Sequence, residues 1–379
     1  MCATQGQSSL PPDTPWAVRE EIAGLHPYVP GLSIDEIREK YGLSQVVKMA
    51  SNENPLGISP LVAERIRARA AGAFRYPQGG NPRLVKALAA RHGVAPERVV
   101  AGNGSDELID LLIRVRAVPG IHNIVCFAPC FSIYPLQARI CGVEVRQTPL
   151  AADFSFPFDA LRALVDTHTA LVFVTTPDNP SGYCPPAGEV RALARSLPPG
   201  CLLVVDEAYM DFADDEAASS LLTQGAELPN VAFLRTFSKS FGLAGLRLGY
   251  AVLPAPLAEC LWRARLPFSV NILAEEAGLA ALEDAVFYAT TLATVREGRA
   301  TLAAGLAALG CRVYPSQANF LLFAPPAGVV ATDMFERLLR RGYIIRPLKS
   351  YNLPHMLRVS IGTREENAGF LAACRDVLA

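Results

Sequence analysis

In Cys201-Leu202-Leu203-Val204-Val205-Asp206-Glu207-Ala208-Tyr209, an apolar run ends directly on a carboxylate. Leucine and valine in unbroken succession read as a strand covered on both faces, the mark of a mainly parallel sheet. Working outward, similar runs recur at 98–101, 123–127, 144–148, 170–175, 231–236 and 248–253. Helical patterns lie between them at 106–118, 132–140, 159–165 and 188–196. Such alternation predicts an α/β architecture, a mainly parallel seven-stranded sheet with helices on both faces. A longer helical pattern over 274–309 ends at Gly310, a natural C-cap, and leads into a smaller α+β unit. That unit would hold strands at 312–315, 319–323, 343–346 and 357–361 and a helix at 332–341. The expected division is an N-terminal segment over 1–45, with a helix at 32–41, packing with the small domain. A large domain follows over 46–275, then the connector helix and small C-terminal domain over 276–379.

Composition agrees with a folded two-domain chain. The 379 residues exceed one ordinary core, and a hydrophobic share of 51% with 19% charged residues leaves no long polar tract. A formal net charge of -1 and the lack of any basic run argue against nucleic acid and for a small-molecule ligand. Nine cysteines scattered through apolar segments fit reduced thiols in a cytoplasmic protein. Without a CxxC and with five dispersed histidines, no metal site is expected. Residues 1–15 lack the apolar core of a signal peptide, and no apolar run reaches the roughly 20 residues that span a bilayer.

The chemistry concentrates at the predicted strand ends. Asp206 falls at the carboxyl edge of its strand, where open α/β sheets bind ligands. A buried carboxylate there needs a cationic partner, and a protonated pyridine nitrogen would serve. Tyr209, three residues on, would reach a phenolic oxygen of the same ring; read alone, Asp206 fits a helix cap equally well. The stretch Thr236-Phe237-Ser238-Lys239-Ser240-Phe241-Gly242-Leu243-Ala244-Gly245-Leu246-Arg247 sets one lysine among hydroxyls with an arginine eight residues later. A lysine able to shed its proton can form a Schiff base, and the hydroxyls with Arg247 can receive a phosphate. Asn103-Gly104-Ser105-Asp106-Glu107 opens a helix after a short strand, which is either a phosphate cradle or a plain N-cap. In Thr176-Pro177-Asp178-Asn179-Pro180-Ser181-Gly182, Asn179 is a turn residue or a donor to the same phenolic oxygen. Phe131 is a stacking platform for an aromatic ring or simply core.

Taken in order, Gly104-Ser105-Asp106, Asn179-Pro180, Asp206 with Tyr209, and Lys239 resemble the motifs of fold-type-I pyridoxal-phosphate aminotransferases. Within that group the chain is most similar to the histidinol-phosphate aminotransferases. His26-Pro27-Tyr28-Val29-Pro30-Gly31, Ser51-Asn52-Glu53-Asn54-Pro55-Leu56-Gly57 and Arg75-Tyr76-Pro77 look like that family. So do Pro315-Ser316-Gln317-Ala318-Asn319-Phe320, Ile345-Arg346-Pro347 and Leu357-Arg358-Val359-Ser360-Ile361-Gly362-Thr363. Two departures stand out. Phe131 occupies a platform position that is often tyrosine, and Asp178 a position that is often asparagine.

The resemblance implies a cofactor, pyridoxal 5′-phosphate, and a role for each matching residue. Lys239 would join the cofactor aldehyde and later move a proton. Asp206 would pair with the ring nitrogen, while Asn179 and Tyr209 bond the phenolic oxygen. Gly104, Ser105, Asp106, Thr236, Ser238 and Arg247 would surround the phosphate, with Tyr76 arriving from the partner of a homodimer. Arg358 would grip a substrate carboxylate, and Tyr28, Asn54 and Arg346 would line the substrate pocket. The implied reaction converts histidinol phosphate and 2-oxoglutarate to imidazole-acetol phosphate and glutamate, reversibly and with ping-pong kinetics, in L-histidine biosynthesis. An aromatic aminotransferase and a threonine-phosphate decarboxylase of the same fold are the alternative readings, and a cofactor-binding regulator is a third.

Overall fold

The computed structural model describes residues 18–25, 32–225 and 228–379. The strands in chain order are β1 (Val47–Lys48), β2 (Val99–Gly102), β3 (Asn123–Ala128), β4 (Glu144–Pro149), β5 (Thr169–Thr175), β6 (Leu202–Asp206) and β7 (Val231–Thr236). They continue with β8 (Gly249–Val252), β9 (Arg312–Val313), β10 (Phe320–Ala324), β11 (Tyr343–Ile344), β12 (Arg346–Leu348) and β13 (Leu353–Ser360).

The larger sheet has seven strands in the order β2-β8-β7-β6-β5-β3-β4. Only β8 runs against its neighbours, β2 and β7. Every residue of β5, β6 and β7 is buried, because helices cover both faces. Leu203 and Val205 face a cluster containing Leu84, Leu88, Val190 and Ala277. Leu202 and Val204 face the opposite one, with Leu108, Leu112, Ala138 and Leu261. This alternation makes the uniform apolar run of β6 obligatory, since each side chain enters a core on one face or the other. At the edge, β4 has only one neighbour and exposes Glu144, Gln147 and Pro149.

The smaller sheet, β12-β13-β10-β9, is antiparallel. Leu302, Leu306, Met334, Leu338 and Phe370 pack into one core with Phe320, Leu321 and Val359. The predicted single helix over 274–309 is in fact two, Ile272–Glu283 and Ala285–Ala308. Asp284 leaves the helical backbone at ψ 73 and accepts the Phe287 N–H at 3.0 Å, starting the second helix as its N-cap. The nearly continuous apolar character on both sides hid this break from periodicity alone.

Segment 47–54 lies between the sheets. β1 pairs in parallel with β11, and Asn319 donates to the Asn52 carbonyl at 3.0 Å. Helix Ile34–Tyr41 buries Ile37 in a cluster with Leu339 and Ile344. Arg19 donates instead to the Ile140 carbonyl, on the larger sheet's side, at 2.8 Å.

Candidate active site

The loops following β2, β3, β5, β6 and β7 converge at one edge of the larger sheet around a cavity of about 140 Å³. Ser105 and Asp106 come from the first, Phe131 from the second, and Asn179 from the third. Asp206 and Tyr209 come from the fourth, Thr236, Ser238 and Lys239 from the fifth, and Arg247 from the approach to β8. The cluster follows from parallel strand topology, which brings residues remote in sequence to one carboxyl edge.

Asp206 is buried at the end of β6. Tyr134 donates to its Oδ2 at 2.6 Å and the Ala208 N–H to its Oδ1 at 3.1 Å. No lysine or arginine lies within ion-pairing distance among the described residues, and burial pushes the carboxyl up to about 6. Lys239 donates to the Ser51 carbonyl at 3.2 Å. Burial, aided by Arg358, pushes its amine down to about 8, so neutral amine is accessible near physiological pH. Tyr209 accepts from Asn52 Nδ2 at 3.0 Å, which leaves its own proton to donate. Asn179 Oδ1 accepts from Arg358 at 2.5 Å, so its NH₂ remains the donor for a ligand.

The other end of the cavity is built for an anion. Ser105 opens helix Ser105–Arg116, whose first N–H groups have no intrahelical acceptor. Thr236 Oγ1 accepts the Ser238 N–H at 3.0 Å, holding the turn before Lys239. Arg247 pairs with Asp106 at 2.9 Å and donates to the Ala244 carbonyl at 3.3 Å. Gly104, at φ +78, allows this approach: a Cβ there would stand 2.5 Å from Arg247 Nη2.

Not every predicted site residue reaches the cavity. Asn54 donates to the Ser240 carbonyl at 2.9 Å and to Thr291 at 3.2 Å, and accepts from Leu56 N–H, so it braces the loop after Lys239. Arg346 stands on β12 opposite Arg358 of β13. Arg358 spans the two sheets, donating to Asn179 and, at 2.9 Å, to the Ala50 carbonyl, while its buried Nε has no hydrogen-bond partner among the described residues. Tyr76 lies away from this cavity, 80% exposed and stacked on Phe268 at 4.7 Å. Tyr28 lies outside the described residues. Three contributors were missed: Asn52, Tyr134 and Thr175. Thr175 could have been found as the last residue of its strand, and Tyr134 as an aromatic three residues beyond Phe131; nothing local distinguishes Asn52 from Asn54.

These residues fit pyridoxal 5′-phosphate. Among the described residues, a buried acid without a paired cation, a half-buried amine without a paired acid, and an anion cradle kept open by glycine match its ring nitrogen, aldehyde and phosphate. Fold and site together define a fold-type-I pyridoxal-phosphate-dependent transferase. The chain belongs to the aminotransferase class I and II family, whose model matches residues 44–373. It is 66% identical over 361 residues to a histidinol-phosphate aminotransferase of Nitratidesulfovibrio vulgaris (strain DP4), covering 95% of this chain and 96% of the relative. It is 63% identical to that of Oleidesulfovibrio alaskensis, over 97% and 96% of the two chains. Among solved structures it resembles the Sinorhizobium meliloti histidinol-phosphate aminotransferase in complex with pyridoxal-5′-phosphate. That pair is 27% identical with a TM-score of 0.83, covering 92% of this chain and 95% of the other.

Asp178 carries a distinct pH signature. It is 2% exposed, accepts the Ser181 N–H and hydroxyl, and is pushed up to about 6 by burial. Between the ordinary carboxyl value of about 3.9 and that raised value, the folded protein binds more protons than the unfolded chain, so this group's contribution to stability falls as pH rises. Asp178→Asn, which keeps the acceptor, should gain about 2 kcal/mol over wild type as pH rises through that window. Urea unfolding at pH 4 and pH 7 checks this; a pH-independent difference refutes it.

Proposed function

We propose that this chain catalyses amino transfer between histidinol phosphate and 2-oxoglutarate, giving imidazole-acetol phosphate and glutamate, in cytoplasmic histidine biosynthesis. The observation that carries this reading is near full-length identity of 66% and 63% to two histidinol-phosphate aminotransferases. The test is a substrate panel containing histidinol phosphate, phenylalanine and O-phosphothreonine. Faster transfer from phenylalanine would favour an aromatic aminotransferase, and carbon dioxide release from phosphothreonine a decarboxylase.

When bound, pyridoxal 5′-phosphate supplies an electron sink for the bond broken at the substrate's amine-bearing carbon. Lys239 would hold the cofactor, and its amine would be the base that moves the proton at that carbon. Asp206 would set a negative charge against the ring nitrogen. Tyr209 and Asn179 would donate to the ring's phenolic oxygen. Ser105, Thr236, Ser238, the amides beside Gly104, and Arg247 would hold the phosphate, with Asp106 fixing the arginine.

The pocket must take both a dicarboxylate and an amino alcohol phosphate, and a guanidinium fork binds either anion. Arg358 is the residue assigned to this task, with Arg346 opposite it on β12; the reading gives Tyr28 the part of an added hydroxyl. The buried Nε of Arg358, without a hydrogen-bond partner among the described residues, supports the assignment. Arg358→Ala should lower kcat/KM for both substrates by about 10²-fold or more, since hydrogen bonds to charged groups are worth about 1.5–3 kcal/mol each. Unchanged turnover of both would remove Arg358 from the role.

The active unit in this reading is a homodimer in which Tyr76 reaches the partner's phosphate site. Phe74, Tyr76 and Leu266 are 79%, 80% and 70% exposed, a density of bare apolar surface that favours a covering partner. Sedimentation of the purified protein as a monomer at micromolar concentration would contradict it.

A further inference from the structure

Tyr134 is 1% exposed and lies on the helix Ile133–Ile140, which packs on the larger sheet. Its ring stacks on Phe173 of β5, centroids 4.6 Å apart and planes 15° apart. The hydroxyl stands 2.6 Å from Asp206 Oδ2 and 2.8 Å from Thr175 Oγ1. A phenol has one proton to give. With that proton on the carboxylate, the second contact must run from the Thr175 hydroxyl to the tyrosine oxygen, so the relay has one direction. Thr175 and Asp206 are register partners on β5 and β6, which fixes the spacing that the tyrosine bridges. The same helix start places Phe131 edge-on to Tyr134 at 5.6 Å, so one short segment sets both the platform and the support of the acid.

We propose that Tyr134 is a positioning residue that holds Asp206 as an oriented anion, so that the proton shared with the cofactor stays on the ring nitrogen. This rests on the reading of Asp206 given above. Hydrogen bonds to the charged form of an acid favour that form. Without the phenol, the carboxylate becomes the stronger base and draws the shared proton away from the ring. Phenylalanine at this position keeps the stack on Phe173 and the packing, and removes only the hydroxyl. Thr175→Val removes the donor one step further back.

The test begins with the protein stripped of cofactor. It is titrated with pyridoxal 5′-phosphate and with a carbocyclic analogue in which CH replaces the ring nitrogen. Tyr134→Phe should lose about tenfold in affinity for the cofactor and less than about twofold for the analogue. In the protein loaded with ¹⁵N-labelled cofactor, the ring-nitrogen resonance should move toward that of a neutral pyridine in Tyr134→Phe, and partway in Thr175→Val. Equal losses for both ligands would mean a purely structural tyrosine and overturn the proposal, as would an unmoved resonance. A wild-type protein that takes up neither ligand would bring down the cofactor reading itself, a result distinct from either.

Discussion

Lys239→Ala should abolish amino transfer, lowering the rate by at least about 10⁴-fold, because covalent attachment and proton transfer are lost together. The near-visible absorbance of the lysine-bound cofactor should vanish with it, and borohydride should no longer fix the cofactor to the chain. Inactivity here would not come from unfolding. Lys239 is half-buried, with its amine pushed down to about 8 by desolvation. Between that value and the ordinary lysine value of about 10.4, the unfolded chain binds more protons. Wild-type stability therefore rises with pH through that window and carries the cost of burying the charge below it. The cofactor-free alanine variant should melt no lower than wild type at pH 7 and lack that slope. Amino transfer within tenfold of wild type would end the case for Lys239.

Asp206→Asn is expected to cost about 10³-fold in kcat, the usual consequence of deleting one preorganised charge at a reacting centre. Asparagine keeps one oxygen for the Ala208 N–H and turns its NH₂ to the Tyr134 oxygen, which can accept while its own proton goes to Thr175, so the edge of β6 should hold its shape. Cofactor should still be captured through Lys239 and the phosphate cradle, which separates weak binding from weak chemistry. Single-turnover measurements with saturating cofactor are the deciding experiment; a kcat within a few-fold of wild type would show that the charge at 206 is dispensable.

Much of this arrangement is legible in the chain because strand ends announce themselves. A run such as Leu203-Val204-Val205 must be buried on both sides, so the polar residue that follows sits at a sheet edge. Asp206 and the turn holding Asn179 are legible on that ground, whereas Thr236 and Lys239 stand out by a lysine set among hydroxyls with an arginine eight residues later. The boundaries of β7 matched the expectation at both ends, 231 and 236. The break at Asp284 was not found, because its cap signal is one residue inside a nearly unbroken helical pattern.

The segment Ser51-Asn52-Glu53-Asn54 marks the limit. Both asparagines have the same chemistry, yet only Asn52 meets Tyr209, and Asn54 turns to Ser240 and Thr291. The choice is made by Ser360, which binds the Asn52 backbone and side chain from 308 residues away and holds it at φ 55. Tyr134 is a similar case: its spacing marks it as a helix residue, and only the packing of that helix on β5 carries its hydroxyl to Asp206. The sequence by itself determined the sheet, its functional edge and the order of the chemical groups, since burial imposes a local period that can be read residue by residue. Tertiary structure alone decided which side chain answers which, because those hydrogen bonds join segments whose nearness no local pattern records.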